Sequence, residues 1–174
     1  MRTSNQFAEA TTGVVYIHSS PSAVCPHVEW ALSGVLDAPA RLTWRPQPAA
    51  PGTSRAEVTW VGPVGSAARL TAALQQWPML RFEVTEDPSQ GVDGQRFCFA
   101  PGLGLWSGST SASGDVIVSE HRLRALAAAG PQALAEALDT ELGAAWDEEL
   151  ETFRTAGMDG GITTTVPLGS VAVG

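Results

Sequence analysis

Cys25-Pro26-His27, with His18 a short way upstream, is the one place where cysteine and histidine cluster in this chain. Two chemistries would use such residues. A zinc centre needs about four ligands at a recognisable spacing, whereas the sequence holds no CxxC, HxxxH or HExxH and its third histidine, His121, lies far away. A cysteine nucleophile needs a depressed thiol pKa and a base that a third group orients. Cys25 stands just before an expected helix start, where the helix dipole favours a thiolate, but closeness in sequence to His27 fixes no geometry. The expectation is a structural thiol at Cys25 and no metal or cofactor site. An enzyme using Cys25, His18 or His27 is the last of the alternatives.

Gly102-Leu103-Gly104-Leu105-Trp106-Ser107-Gly108 invites comparison with a phosphate loop. A dinucleotide fingerprint needs a strand before it and a helix opening at it; here more strand follows, so a tight hairpin is expected. Serines 107, 109, 111 and 113 lie nearby, but no G-x-S-x-G elbow anchors a serine hydrolase. All ten basic residues are arginine. Without lysine there is no side-chain Schiff base, no lysine-bound pyridoxal phosphate and no Walker A loop. A net charge of −8 and scattered arginines argue against nucleic acid.

The elements that position these residues follow from periodicity. The run Thr12 to His18 reads as a strand, and Val28, Leu32, Val35 and Leu36 recur at helical spacing until Asp37-Ala38-Pro39. Leu42 and Trp44 alternate with Arg41 and Arg45 in a second strand. A turn-rich stretch from Gln47 to Ser54 leads to a third strand carrying Ala56, Val58 and Trp60. Ser66 is the expected N-cap of a helix with Leu70, Ala73, Leu74 and Trp77 on one face, and Leu80, Phe82 and Val84 alternate with Arg81, Glu83 and Thr85. That order is the ferredoxin-like βαββαβ arrangement over about residues 12–86, with an antiparallel sheet ordered 4-1-3-2. Short antiparallel strands at 96–100, 103–107 and 116–118 follow, then a helix from about 119 to 129. A second, amphipathic helix runs from Pro131 to about Phe153.

The expected organisation is a flexible start at 1–11, a single α+β domain at 12–156, and an extended apolar tail at 157–174. No leader or membrane span is read, so the chain is expected in the cytoplasm with Cys25 and Cys98 reduced. Five of the six tryptophans are expected in the core. Trp106, in its glycine-serine surroundings, is expected as a contact anchor. The acidic helix face (Glu141, Glu148, Glu151) and the tail residues Ile162, Val166, Val171 and Val173 complete the set of candidate partner-binding residues. The tail carries one charge and favours extended structure that could lie on this chain's own sheet edge or on a partner's.

At TTGVVYIHSSPSAVCPHVEWALSGVLDAPARLTWRPQPAAPGT and at WPMLRFEVTEDPSQGVDG the sequence resembles an actinobacterial family catalogued only as a domain of unknown function. The resemblance covers about residues 11–155. It brings no catalytic motif; it implies an association with type II fatty-acid synthesis and acyl-CoA supply, whose genes often neighbour those of the family.

The leading expectation is a non-catalytic accessory or regulatory subunit binding a larger cytosolic enzyme, in acyl-CoA or fatty-acid metabolism. The alternative is a small-molecule-binding regulatory domain that homo-oligomerises through its sheet.

Overall fold

The β-branched run that opens the chain's first element lies in mid-sheet, with partners on both sides. β1 (Ala10–Pro21) pairs antiparallel with β3 (Thr53–Pro63) and with β4 (Arg81–Glu86). The computed structural model describes residues 10–157 and 164–166. Around β1 it builds a mixed α+β fold on one sheet, with β2 (Arg45–Pro46), β5 (Gly94–Ala100), β6 (Gly104–Thr110) and β7 (Val116–Ile117) in the order β2-β3-β1-β4-β5-β6-β7. These strands run antiparallel, and the short β8 (Thr164–Val166) adds in parallel to β3.

One face of the sheet carries α1 (Cys25–Leu36) and α2 (Ser66–Leu74). Val15, Ile17, Val58, Trp60, Phe82 and Val84 meet Val28, Leu32, Leu70 and Leu74 there in the main core. Gly13 is required for this packing: a Cβ at that position would come 2.5 Å from the Trp60 ring and 1.9 Å from the Thr85 carbonyl oxygen. The opposite face is covered in part by α5 (Ala144–Thr155). Its Leu150 joins Cys98, Ala100 and Trp106 in a second, smaller core. α3 (Glu120–Ala127) and α4 (Pro131–Leu142) precede α5, and α4 buries none of its side chains.

Several local expectations change. The strand at Leu42 and Trp44 shrinks to Arg45–Pro46, and the Leu42 N–H bonds Glu29 of α1 instead of a neighbouring strand. Glu29 Oε1 accepts from Leu42 N at 2.9 Å and from Trp44 Nε1 at 3.0 Å. Ser66 does not cap α2. Gly65 is the N-cap residue, and the buried Glu86 carboxylate accepts from Gly65 N and Ala67 N at 2.7 and 2.9 Å, an anion at a helix N-terminus supplied from β4. Trp77 falls past the end of that helix.

The long helix from Pro131 to Phe153 is two helices. Gly143 takes a left-handed φ of 76° between them, and a Cβ there would come within 2.8 Å of the Trp106 indole. That break redirects the second half onto the sheet, so the uninterrupted wheel drawn from sequence fails. Leu142 is 42% exposed, whereas Leu150 is fully buried.

Candidate functional site

The second face of the sheet is unusually polar for a surface that a helix covers. Register places Glu57, Tyr16, Glu83, Cys98 and Trp106 in one row across β3, β1, β4, β5 and β6. Val14, Thr85 and Arg96 form the row beside it. Alternation would put His18 on this face next to Tyr16, and here the ladder slips. Ile17 pairs with Ala56 but Ser20 with Ser54, so His18 and Ser19 both stand opposite Arg55. Such a bulge bends a strand and re-aims its side chains. Gln47, buried at 1% exposure, fixes this one: its Nε2 donates to the His18 carbonyl at 2.7 Å and to the Phe153 carbonyl at 3.3 Å.

α5 brings its charges onto this face. Arg154 Nε donates to Glu83 Oε1 at 2.8 Å, and its Nη2 bonds both Glu83 and Asp147. Arg96 Nη2 donates to Asp147 Oδ1 at 2.6 Å and lies 3.8 Å from Glu83 Oε2. Burial alone would raise the Glu83 carboxyl, but the His18 contact and the Arg154 charge outweigh it and hold the group at about 2. Burial likewise opposes the Arg154 charge, and Glu83 and Asp147 more than restore it. Two carboxylates and two guanidinium groups thus satisfy one another. Beside them the Cys98 thiol, 1% exposed, is pushed up to about 12, first by burial and then by the Glu83 charge.

His18 joins this network only at its edge. Its Nε2 is buried 3.4 Å from Glu83 Oε1, near enough to help hold Glu83 ionised but too long for a good hydrogen bond, and it has no other polar partner among the described residues. The imidazole stacks on Tyr16 with centroids 6.1 Å apart and planes within 5°. Both rings border a cavity of about 540 Å³ between the sheet, the end of α5 and the β2–β3 edge. Thr85, Glu83 and Arg96 line it from the sheet. Phe153, Arg154 and Gly157 close it from the helix side, and Arg45, Arg55 and Thr43 form its rim. Burial raises the Tyr16 pKa, and Glu57 and Glu83 add to the effect, so its phenol stays a neutral donor.

The residues expected to act from sequence do not converge here. Cys25 is buried at the first turn of α1, its Sγ facing Ser20 Oγ at 3.7 Å and the Pro21 carbonyl at 3.6 Å. His27 is exposed and packs edge-on to Trp30. Among the described residues no hydrogen bond joins Cys25 to a histidine, and both cysteines are free thiols. No group of three or more histidine, cysteine, aspartate or glutamate side chains there could hold a metal ion.

Trp106 is a correction. It is 7% exposed, donates to the Thr140 carbonyl at 3.1 Å and lies under the Arg96 guanidinium, so its ring is no surface anchor. Trp30, expected inside, is 70% exposed. Glu141 pairs with Arg122 and Glu151 with Arg154, leaving Glu148 on the surface. Val166 is buried in β8 against β3 of its own chain, while Ile162, Val171 and Val173 lie outside the described residues. What sequence reading missed is Tyr16, Arg55, Glu83, Arg96 and Arg154. For the four on strands the one signal was the polar half of the alternation, a pattern that ordinarily marks a solvated face, and Arg154 sits near the end of a helix.

No helix among the described residues is long and apolar enough to cross a membrane. A family model described as "Protein of unknown function (DUF3145)" matches residues 14–165. No curated protein and no solved structure matches the chain.

Proposed function

The chain belongs to the DUF3145 family, and from that premise we propose that it is a non-catalytic domain that binds a small organic molecule in the cavity on the second sheet face. The observation that carries this reading is His18. Its Nε2 is buried on the wall of a cavity of about 540 Å³, and among the described residues its one polar neighbour is Glu83 Oε1 at 3.4 Å, so its hydrogen-bonding capacity is poorly met. A buried polar atom left unpaired costs about 1–3 kcal/mol unless something fills the role, and ligand pockets commonly span about 300–1,000 Å³. Among the described residues Cys25 shares no hydrogen bond with a histidine, which weighs against Cys25 as a nucleophile. The ferredoxin-like reading of residues 12–86 has support in the order β4-β1-β3-β2 and in α1 and α2 sharing one face.

Differential scanning fluorimetry of the full chain against a panel of metabolites tests the proposal. A ligand should raise the midpoint, and Tyr16→Trp, which narrows the cavity floor, should diminish that shift. A shift that Tyr16→Trp leaves intact refutes the site.

An accessory subunit of a larger enzyme, in acyl-CoA or fatty-acid metabolism, is the second reading. It is favoured by α4, whose Leu134 and Leu138 are only half-buried and whose Leu142 is exposed. Co-elution of the tagged chain with one large enzyme in native extract supports it, and elution as a lone small species counts against it.

A further inference from the structure

We propose that Arg55 anchors an oxyanion head group, a carboxylate or a phosphate, on the small organic molecule that the second-face cavity takes. The proposal rests on the reading of that cavity as a ligand site and adds the class of ligand.

The charge distribution points there first. The chain has a net charge of −8 and only ten basic residues, yet four arginines (Arg45, Arg55, Arg96 and Arg154) line this one cavity against two carboxylates, Glu57 and Glu83. Internal pairing then removes two of the four, and Arg45 has an interaction of its own. Arg154 is committed to Glu83, and Arg96 to Asp147. Arg55 forms no ion pair among the described residues, and its Nε is buried without a hydrogen-bond partner. A lysine so placed could shed its proton, but a guanidinium cannot, so it stays charged and wants an anion.

The guanidinium is also held in place. A Cβ on Gly157 would come 2.4 Å from Arg55 Nη1, so the end of α5 leaves room for this side chain only because residue 157 is a glycine. The bulge leaves His18 and Ser19 together opposite Arg55, and the His18 and Arg55 residues both line the cavity. A planar fork with a neighbouring imidazole suits two oxygens of one head group, while Tyr16 and Phe153 offer apolar surface to the body of the ligand.

Isothermal titration calorimetry on the full chain tests this with phenyl phosphate, benzoate, inorganic phosphate and benzyl alcohol as probes, against wild type, Arg55→Gln and Arg55→Lys. The expected result is that phenyl phosphate or benzoate binds at least about tenfold more tightly than benzyl alcohol. Arg55→Gln should remove that margin and Arg55→Lys keep part of it. Which of the two aromatic anions binds better identifies the head group, and binding of inorganic phosphate shows that the head group suffices. A structural role predicts that Arg55→Gln melts lower without ligand; an anchor that awaits its anion predicts a midpoint equal or higher. Equal affinity for benzyl alcohol and the anions, unchanged by Arg55→Gln, overturns the anion inference and leaves the cavity a ligand site. Failure of every probe to bind overturns both.

Discussion

Asp147 and Arg154 lie two turns apart on one face of α5 and meet over the sheet, Arg154 Nη2 donating to Asp147 Oδ1 at 2.9 Å. Because the same Arg154 also holds Glu83 of β4, the helix is attached to the sheet through charge as well as through Leu150. Attachment of this kind is sensitive to protonation.

Acid should loosen it. The Glu83 carboxyl is held at about 2, below its ordinary 4.5. Its contribution is therefore fully present above pH 4.5 and lost as pH falls toward 2, and by linkage it is on the order of 3 kcal/mol at neutral pH. Urea unfolding should find Glu83→Gln less stable than wild type by about that amount at pH 7, with the difference closing near pH 2. A constant difference across that range would show that Glu83 acts through packing alone.

Neither cysteine should react in the folded protein. Cys98 is 1% exposed with its thiol pushed up to about 12, and Cys25 is 7% exposed. A disulfide-exchange reagent at pH 8 should titrate no thiol rapidly and both after denaturation. Rapid labelling of Cys25 would reopen a cysteine-based reaction.

Gly143 should tolerate no side chain. Its φ is 76° and the Trp106 ring occupies the space of a Cβ. Gly143→Ala should cost more than about 1 kcal/mol and alter the near-ultraviolet signal of the tryptophans. Gly65→Ala, at a left-handed φ of 90° but with nothing within 4 Å, separates backbone strain from the clash. Equal losses at the two sites would deny the Trp106 contact.

β8 should matter to stability within this chain. Val166 is 1% exposed and packs in the main core beside β3. Val166→Ala should lower the unfolding free energy by about 1–2 kcal/mol, read as a reduced urea midpoint. An unchanged midpoint would mean that the segment leaves the sheet edge in solution.

Much of the fold was legible because the first half states its periods clearly. Val15 and Ile17, Val58 and Trp60, Phe82 and Val84 alternate as strands do, and each pair is buried where alternation put it. The second half hid its decisive event in one residue. Gly143 carries no periodic signal, yet it turns α5 so that Asp147 and Arg154 meet over the sheet. The candidate site was hidden for a related reason. Arg55, Glu83 and Arg96 look like the outward half of amphipathic strands, and only a helix arriving from far along the chain makes that half an interior. The bulge that leaves His18 and Ser19 together opposite Arg55 is a matter of register, which the single sequence does not state.

Nitrogen-15 NMR of the arginine Nε and histidine ring resonances during titration with phenyl phosphate reads the cavity most directly. The account predicts saturable shifts at Arg55 and His18, with the indole of Trp30, exposed on α1, standing still. Shifts confined to Trp30 and His27, or a titration that leaves Arg55 and His18 unmoved while other residues respond, would contradict it.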